Sequence, residues 1–201
     1  MFSSKKVFCT LSTLLVLTAS ASFAENIDLG RNLSAHVGAY CPTDGNIKDA
    51  VGAAWLDLGL SYKISGTPIS EHSLGIGWIQ GTKSYNGYDY DGFWSADTSV
   101  RMVPITYTYK TKPKTNPKVY FGGGAGMYLT RISASYSSYD GDMNAGESQT
   151  RYAVHLVAGT TLSENISADV RYTQFLDNDT ENEYDPKPNL SGLSLNIGAR
   201  F

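Results

Sequence analysis

Three histidines, at positions 36, 72 and 155, are the side chains of this protein best suited to accept a proton at neutral pH. A hydrolytic site would need one of them beside a nucleophile and an orienting carboxylate, on a surface that the substrate can reach. In the segment His72-Ser-Leu74, leucine stands where a His-x-Ser pair would carry its serine. Whether any histidine can act therefore depends on the elements that position it.

The stretch from Lys83 to Trp94 alternates acidic residues with aromatic rings, which can bind a cation or stack on a sugar or a host surface. Its Asp89-x-Asp91-Gly92 segment resembles part of a calcium loop. Threonine occupies position 98, where that twelve-residue pattern needs its closing acid. We therefore predict no metal and no cofactor. The candidate surface-binding residues are Tyr88, Asp89, Tyr90, Asp91, Phe93 and Trp94.

The beginning of the chain is typical of an exported protein. Lys5 and Lys6 precede an apolar run from 7 to 17 and small residues up to Ala24, which predicts a signal peptide over 1–24 and a mature domain over 25–201. Without those lysines, 14 of the 16 basic residues remain against 19 acidic ones, and this negative balance does not favour a nucleic-acid partner. The mature chain keeps Cys41 alone, so we expect a free thiol or a rare intermolecular link.

Eight segments of the mature chain alternate between apolar and polar residues, the pattern of a half-buried strand. Each has about the 9 to 11 residues that a tilted membrane strand needs, and no other stretch approaches the roughly 20 apolar residues of a membrane-spanning helix. We expect strands to make any membrane crossing. The segments lie near 32–40, 53–64, 71–80, 98–110, 118–131, 149–162, 165–176 and 190–201.

The last segment sets the faces of the predicted strands. Its apolar residues alternate with small or polar ones and would face lipid: Leu193, Leu195, Ile197, Ala199 and Phe201. With its terminal aromatic residue, this segment resembles the C-terminal assembly signal of bacterial outer-membrane barrels. The same phase places a set of charged residues inside: His36, Asp57, Lys63, His155, Asp169, Arg171 and Arg200. These charges either close the lumen as a plug of salt bridges or, beside many inward glycines, leave a hydrated path.

Connection lengths predict the orientation. Those near 65–70, 111–117 and 163–164 are short, and those near 41–52, 81–97, 132–148 and 177–189 are long. Membrane barrels place short turns in the periplasm and long loops outside.

The fourth segment carries Pro104, which cannot donate a hydrogen bond to a neighbouring strand. We expect a β-bulge there, which would also explain why Arg101 shares the lipid-facing phase.

The mature chain resembles the small eight-stranded outer-membrane barrels of the OmpA-barrel and OmpX-like group. The resemblance rests on the signal peptide, the alternating short and long connections, the opening segment 37–52 and the terminal Leu-Ser-Leu-Asn-Ile-Gly-Ala-Arg-Phe201. It implies an all-β, antiparallel, up-and-down barrel in the cell outer membrane. It also implies contact with outer-membrane lipid and lipopolysaccharide, and with the barrel assembly machinery during insertion. Functions of OmpA that depend on its peptidoglycan-binding domain are not carried over.

The predicted strand faces put none of the three histidines in a position suited to catalysis. His36 and His155 point inward, and His72 lies near a periplasmic turn. The His-x-Ser arrangement that resembles lipid A deacylases is also absent. We predict a non-enzymatic protein with a structural or adhesion-type role, which binds an extracellular ligand or host surface through its outer loops. The alternative is a small pore that passes ions or small solutes. A soluble, lipocalin-type barrel would need the apolar faces inside.

Overall fold

The computed structural model describes residues 32–90, 92–139, 141–176 and 188–201. The predicted signal peptide, Asp91 and most of the acidic connection after residue 176 lie outside these residues. The strands are β1 Leu33–Pro42, β2 Trp55–Thr67, β3 Ser70–Asp89, β4 Gly92–Thr111, β5 Val119–Ser138, β6 Gly141–Thr161, β7 Ile166–Phe175 and β8 Gly192–Arg200, and a helix, α1, spans Gly45–Val51. Among the residues described, no helix is long and apolar enough to cross a membrane.

The eight strands form a closed barrel in which each strand pairs antiparallel with its neighbours in the sequence. Closure comes from β1 and β8, where Val37 pairs with Ile197 and Pro42 with Gly192. Closing the sheet leaves no unpaired edge around the barrel wall. The predicted eight-stranded, up-and-down antiparallel barrel is confirmed.

Apolar side chains cover the outside of the wall. Leu60, Leu156 and Leu195 are 49%, 67% and 58% exposed, whereas Ser194 and Asn196, next to Leu195 on β8, are buried. Strand neighbours point to opposite faces, so the polar positions of β8 turn inward. A soluble barrel would hide these leucines, and their outward position is that of a barrel surrounded by lipid.

Two hairpins are longer than the alternation predicts. The segments 81–97 and 132–148 were expected to be loops, but β3 and β4 stay paired up to Asp89 and Gly92, and β5 and β6 up to Ser138 and Gly141. The outward-facing residues are apolar only within the membrane. Beyond it both faces of the hairpins contact water, so the sequence no longer alternates between apolar and polar residues. The backbone ladder needs no lipid and continues. We call residues 81–99 and 132–150 the hairpin extension.

The expected bulge at Pro104 is wrong. Pairing between β3 and β4 skips the residues opposite Val103 and Pro104 and resumes at Ile79 and Met102 in the same register. Proline removes a donor without inserting a residue, and Gly77 leaves space for the ring, since a Cβ there would lie 3.0 Å from Pro104 Cγ. The register shift lies instead on β2, between Lys63 and Ser65.

Arg101 therefore faces outward without help from a bulge. Its guanidinium carbon lies 4.7 Å from the centroid of the Trp78 ring, a cation–π contact. An arginine on an aromatic ring at the upper end of the apolar band suits the membrane interface, where long basic side chains reach water.

Candidate functional sites in the lumen and on the outer hairpins

The extracellular half of the lumen is filled by apolar side chains. We call this group the apolar layer: Tyr40, Ile47, Val51, Trp55, Ile79, Val100, Met102, Tyr128, Ala153, Phe175 and Leu190. Trp55 lies at its centre, with its ring centroid 5.6 Å from that of Tyr40 and its Nε1 donating to Gly52 O at 2.8 Å. Inward positions of several strands supply the layer, so a narrow barrel is closed there by packing.

Helix α1 covers the apolar layer from the extracellular side. Asp44 caps its first turn by accepting from the backbone N–H groups of Asn46 and Ile47. The helix buries Ile47 and Val51. Its carbonyls are held by the hairpin extension, where the Tyr85 hydroxyl donates to Asp49 O and the Thr98 hydroxyl to Ala50 O. The connection between β1 and β2, which contains α1, therefore covers the extracellular end of the lumen.

Two of the predicted lumen residues pair with each other below the layer. His36 Nε2 lies 3.5 Å from Asp57 Oδ1, and Asp57 is buried. His155 is buried on β6, where its Nε2 lies 2.9 Å from Thr108 Oγ1. No partner for His155 Nδ1 is found within the described part of the chain.

Asp169 and Arg200 have separate partners nearer the periplasm. Asp169 accepts from the Tyr120 hydroxyl at 3.0 Å and from Asn196 Nδ2 at 3.2 Å. Arg200 Nη2 lies 2.6 Å from Glu71 Oε2. Glu71 is not among the predicted lumen residues, although it shares the inward phase of Ser73 and Gly75, which could have identified it.

The remaining two predicted charges, Lys63 and Arg171, line a polar cavity at the periplasmic end of the lumen. Lys110 lines it as well, with its Nζ 4.9 Å from the centroid of the Tyr120 ring. Lys110 continues the inward phase of the buried residues Thr106 and Thr108 on β4. The structure thus divides the lumen into an outer half in which most of the buried side chains are apolar and a charged inner half.

Arg151 is a further buried cation that the sequence analysis missed. It is 0% exposed, and its guanidinium carbon lies 4.8 Å from the centroid of the Phe175 ring. Its Nη1 donates to Pro188 O at 2.7 Å. Arg151 thus ties β6 to the connection before β8 at the level of the apolar layer.

The described residues of the predicted surface-binding set lie at the tip of the β3–β4 hairpin. Tyr88 is 83% exposed and Tyr90 is fully exposed, and the Tyr88 ring contacts Phe93 edge to face at 5.3 Å. Trp94 lies on the other face of the hairpin, where it stacks on Tyr136 of β5 at 6.2 Å. The Asp89 side chain and Asp91 lie outside what the structure describes.

A repeated tripeptide marks both hairpin tips. Tyr90-Asp91-Gly92 ends the first hairpin and Tyr139-Asp140-Gly141 ends the second. Gly92 and Gly141 have φ values of 119° and 136°, which favour glycine. Asp-Gly is a common hairpin turn. This repeat could have placed both tips from the sequence.

The outer face of the hairpin extension carries a polar groove of about 520 Å³. Its lining includes Ser84, Asp97, Ser99, Arg131, Ser133 and Asn144. Hydroxyl, amide and charged groups in an open groove are donors and acceptors suited to a polar ligand such as a carbohydrate.

His72 contacts aromatic rings instead of an acid and a nucleophile. Its Nδ1 lies 2.5 Å from the Tyr107 hydroxyl, and its ring centroid lies 4.9 Å from that of Tyr109. These tyrosines lie on the outer surface near the periplasmic rim, where aromatic belts anchor barrels. Over the described residues, no group of three or more histidine, cysteine or acidic side chains could hold a metal ion.

Strand β8 carries the residues predicted as an assembly signal. Leu193, Leu195 and Ile197 point outward at 43%, 58% and 41% exposure. The strand pairs on both sides, with β7 and β1, and Phe201 N donates to Leu33 O at 3.0 Å. These residues thus lie on the strand that closes the barrel, and their role as a signal stays a prediction.

Comparison with known proteins places the fold. No protein-family model matches the chain, and no curated protein matches it. A major outer membrane protein of Thermus thermophilus is similar in structure, with a TM-score of 0.53 at 15% identity over 85% of this chain and 99% of that one. So is Ail, the attachment invasion locus protein of Yersinia pestis, solved with the heparin analogue sucrose octasulfate. Its TM-score is 0.51 at 15% identity over 85% of this chain and 96% of that one. The chain has the fold of the small outer-membrane β-barrels.

Proposed function

We propose that this protein is a non-enzymatic outer-membrane barrel that binds an extracellular ligand or host surface through its hairpin extension. The observation that carries the proposal is the exposure of aromatic rings at both tips, where Tyr88, Tyr90 and Tyr139 are 83%, 108% and 88% exposed. Rings at these tips face water and contribute nothing to the apolar band of the wall. Tyr88 is on a paired strand, and Tyr90 and Tyr139 lie in the turns that join paired strands. Exposed aromatic side chains presented in this way are effective binding anchors.

The charge of the hairpin extension points to the class of ligand. Its residues include one basic side chain, Lys83, and six acidic ones: Asp89, Asp91, Asp97, Asp140, Asp142 and Glu147. Arg131, just before the extension in β5, lines the groove and adds a second basic group, so the acids remain in excess. Such a surface repels polyanions. Sucrose octasulfate, the ligand in the Ail structure, is of that kind. For this chain we propose a neutral or amine-bearing glycan surface, bound by ring stacking and by the polar groove.

The apolar layer supports a binding role over the alternative of a small pore. The layer crosses the lumen and α1 covers it, with Trp55 and Met102 buried at 2% and 0% exposure. Ions would have to pass through packed side chains without hydration, which is costly. The aromatic surroundings of His72 support the non-enzymatic part of the proposal.

The test replaces the three most exposed tip rings together, as Tyr88→Ser, Tyr90→Ser and Tyr139→Ser, in cells that display the protein. We expect adhesion to a glycan-bearing surface to fall by about tenfold or more, since each ring supplies contact area in the complex. Tyr62→Ser is the control, because it removes an exposed tyrosine ring at the periplasmic end of the barrel. It should leave adhesion unchanged. Full adhesion of the triple variant, with the folded protein confirmed at the surface, would refute the proposal.

A further inference from the structure

The periplasmic end of the lumen holds a cavity of about 320 Å³. Residues of the periplasmic turns, including Lys112 and Glu164, line its mouth. Inward residues of the wall line its interior, and the apolar layer closes the lumen above. The described wall therefore forms a vestibule that is entered from the periplasm.

Cations outnumber acids in this vestibule. Five basic side chains line it, Lys63, Lys110, Lys112, Arg171 and Arg200, against the three acids Glu71, Glu164 and Asp169. Glu71 pairs with Arg200, whereas Asp169 accepts hydrogen bonds from the uncharged groups of Tyr120 and Asn196 and keeps its negative charge. The lining thus holds positive charge that the bound acids do not neutralise.

Three of the cations lack an ion pair in the described part of the chain. No carboxylate of the described residues lies within 4.0 Å of Lys63, Lys110 or Arg171. The Nε atom of Arg171 is buried and has no acceptor among the same residues. The ammonium of Lys110 rests on the Tyr120 ring, a contact that leaves its hydrogen-bond donors free. Uncompensated cations in a narrow lumen are costly, and an anion placed among them would offset that cost.

We propose that the vestibule binds a small oxyanion, a phosphate or carboxylate group, through Lys63, Lys110 and Arg171. A guanidinium supplies planar, paired donors that match both kinds of oxyanion, and ammonium groups add point charges. The vestibule is at the opposite end of the barrel from the hairpin extension, so this site is independent of the surface-binding role.

The test titrates the folded mature protein, in an uncharged maltoside detergent, with inorganic phosphate and separately with succinate. Chloride keeps the ionic strength constant, and calorimetry records binding. We expect saturable binding of at least one of these two oxyanions. Lys63→Gln and Arg171→Gln should each weaken it by about tenfold or more, the usual effect of removing a charge-assisted contact.

Lys114→Gln is the matched control, because Lys114 has the same charge and is exposed on the β4–β5 turn outside the cavity lining. It should leave the affinity unchanged. If Lys63→Gln, Arg171→Gln and Lys114→Gln weakened binding equally, the anion would be attracted only by the overall positive charge near the periplasmic end. The proposal would then be wrong. Absence of saturable binding by the wild-type protein would also overturn it. Lys63 lies near the rim, so Lys63→Gln provides the decisive comparison if Arg171→Gln does not fold.

Discussion

Gly81 shows how a single inward residue sets the packing of the apolar layer. It lies on β3 against the Trp55 ring, so closely that a Cβ built at Gly81 would be 2.3 Å from Trp55 Cδ1. No rotation of a methyl group relieves such an overlap. The Trp55 ring therefore occupies the space that a side chain at position 81 would fill, so glycine is needed there for the ring to pack.

We expect Gly81→Ala to destabilise the folded barrel by about 1 to 3 kcal/mol, because overpacking displaces a buried ring. Equilibrium unfolding by urea in lipid vesicles measures the change. Gly146→Ala on β6 is the matched control, since its Cβ would lie 3.6 Å from Ile132 O, an ordinary contact. Its effect should stay within about 0.5 kcal/mol. Equal effects of the two substitutions would contradict the role given to Gly81.

The hairpin extension carries the proposed binding residues, and its tips lie outside the packed part of the barrel that provides stability. Its strands continue the ladders of β3 to β6 beyond the closed part of the barrel. Contacts to α1 come from its base, through Tyr85 and Thr98. The described residues of the tips beyond Tyr85 and Thr98 add no side chain to the apolar layer.

Shortening the first hairpin should therefore leave the barrel folded. Residues 86–95 are replaced by Asn-Gly, a two-residue turn that joins the paired residues Tyr85 and Ala96. We expect the folded protein to keep its heat-modifiable band in electrophoresis while adhesion decreases, because binding rings are removed and the closed ladder is not. Loss of the folded band would mean that the tip is part of the folding unit.

At the scale of the whole molecule, the two layers of the lumen determine whether the barrel conducts ions. The apolar layer lies in the extracellular half, and the charged vestibule lies below it. A plug of salt bridges and an apolar plug predict different responses to substitution, because the first depends on charge and the second on volume.

We expect the wild-type barrel, refolded into a planar bilayer, to give no discrete single-channel currents. Arg171→Gln should be equally silent, since the layer above it is intact. Trp55→Ala combined with Met102→Ala should give measurable currents, because it removes two buried side chains from the layer. Discrete currents from the wild-type protein would favour the pore instead, and currents from Arg171→Gln alone would favour a charged plug.

The alternation of side chains along each segment was enough to predict eight strands, their outward faces and the barrel class. Alternation is local, since each residue's face depends only on its neighbours and on the lipid outside. It did not predict the length of the long hairpins, because the apolar signal stops at the membrane boundary while the ladder continues. The Tyr-Asp-Gly repeat at 90–92 and 139–141 carried that information.

The contacts between side chains inside the lumen were determined by the tertiary structure alone. Inward apolar residues such as Trp55 and Met102 interrupt the alternation, and the sequence does not show that they meet in one layer. Glu71 and Arg200 are 129 positions apart in the chain and 2.6 Å apart in the barrel. The sequence determined which residues point inward. Only the register and closure of the sheet determined which of them touch, because those contacts depend on how distant strands are staggered around the ring.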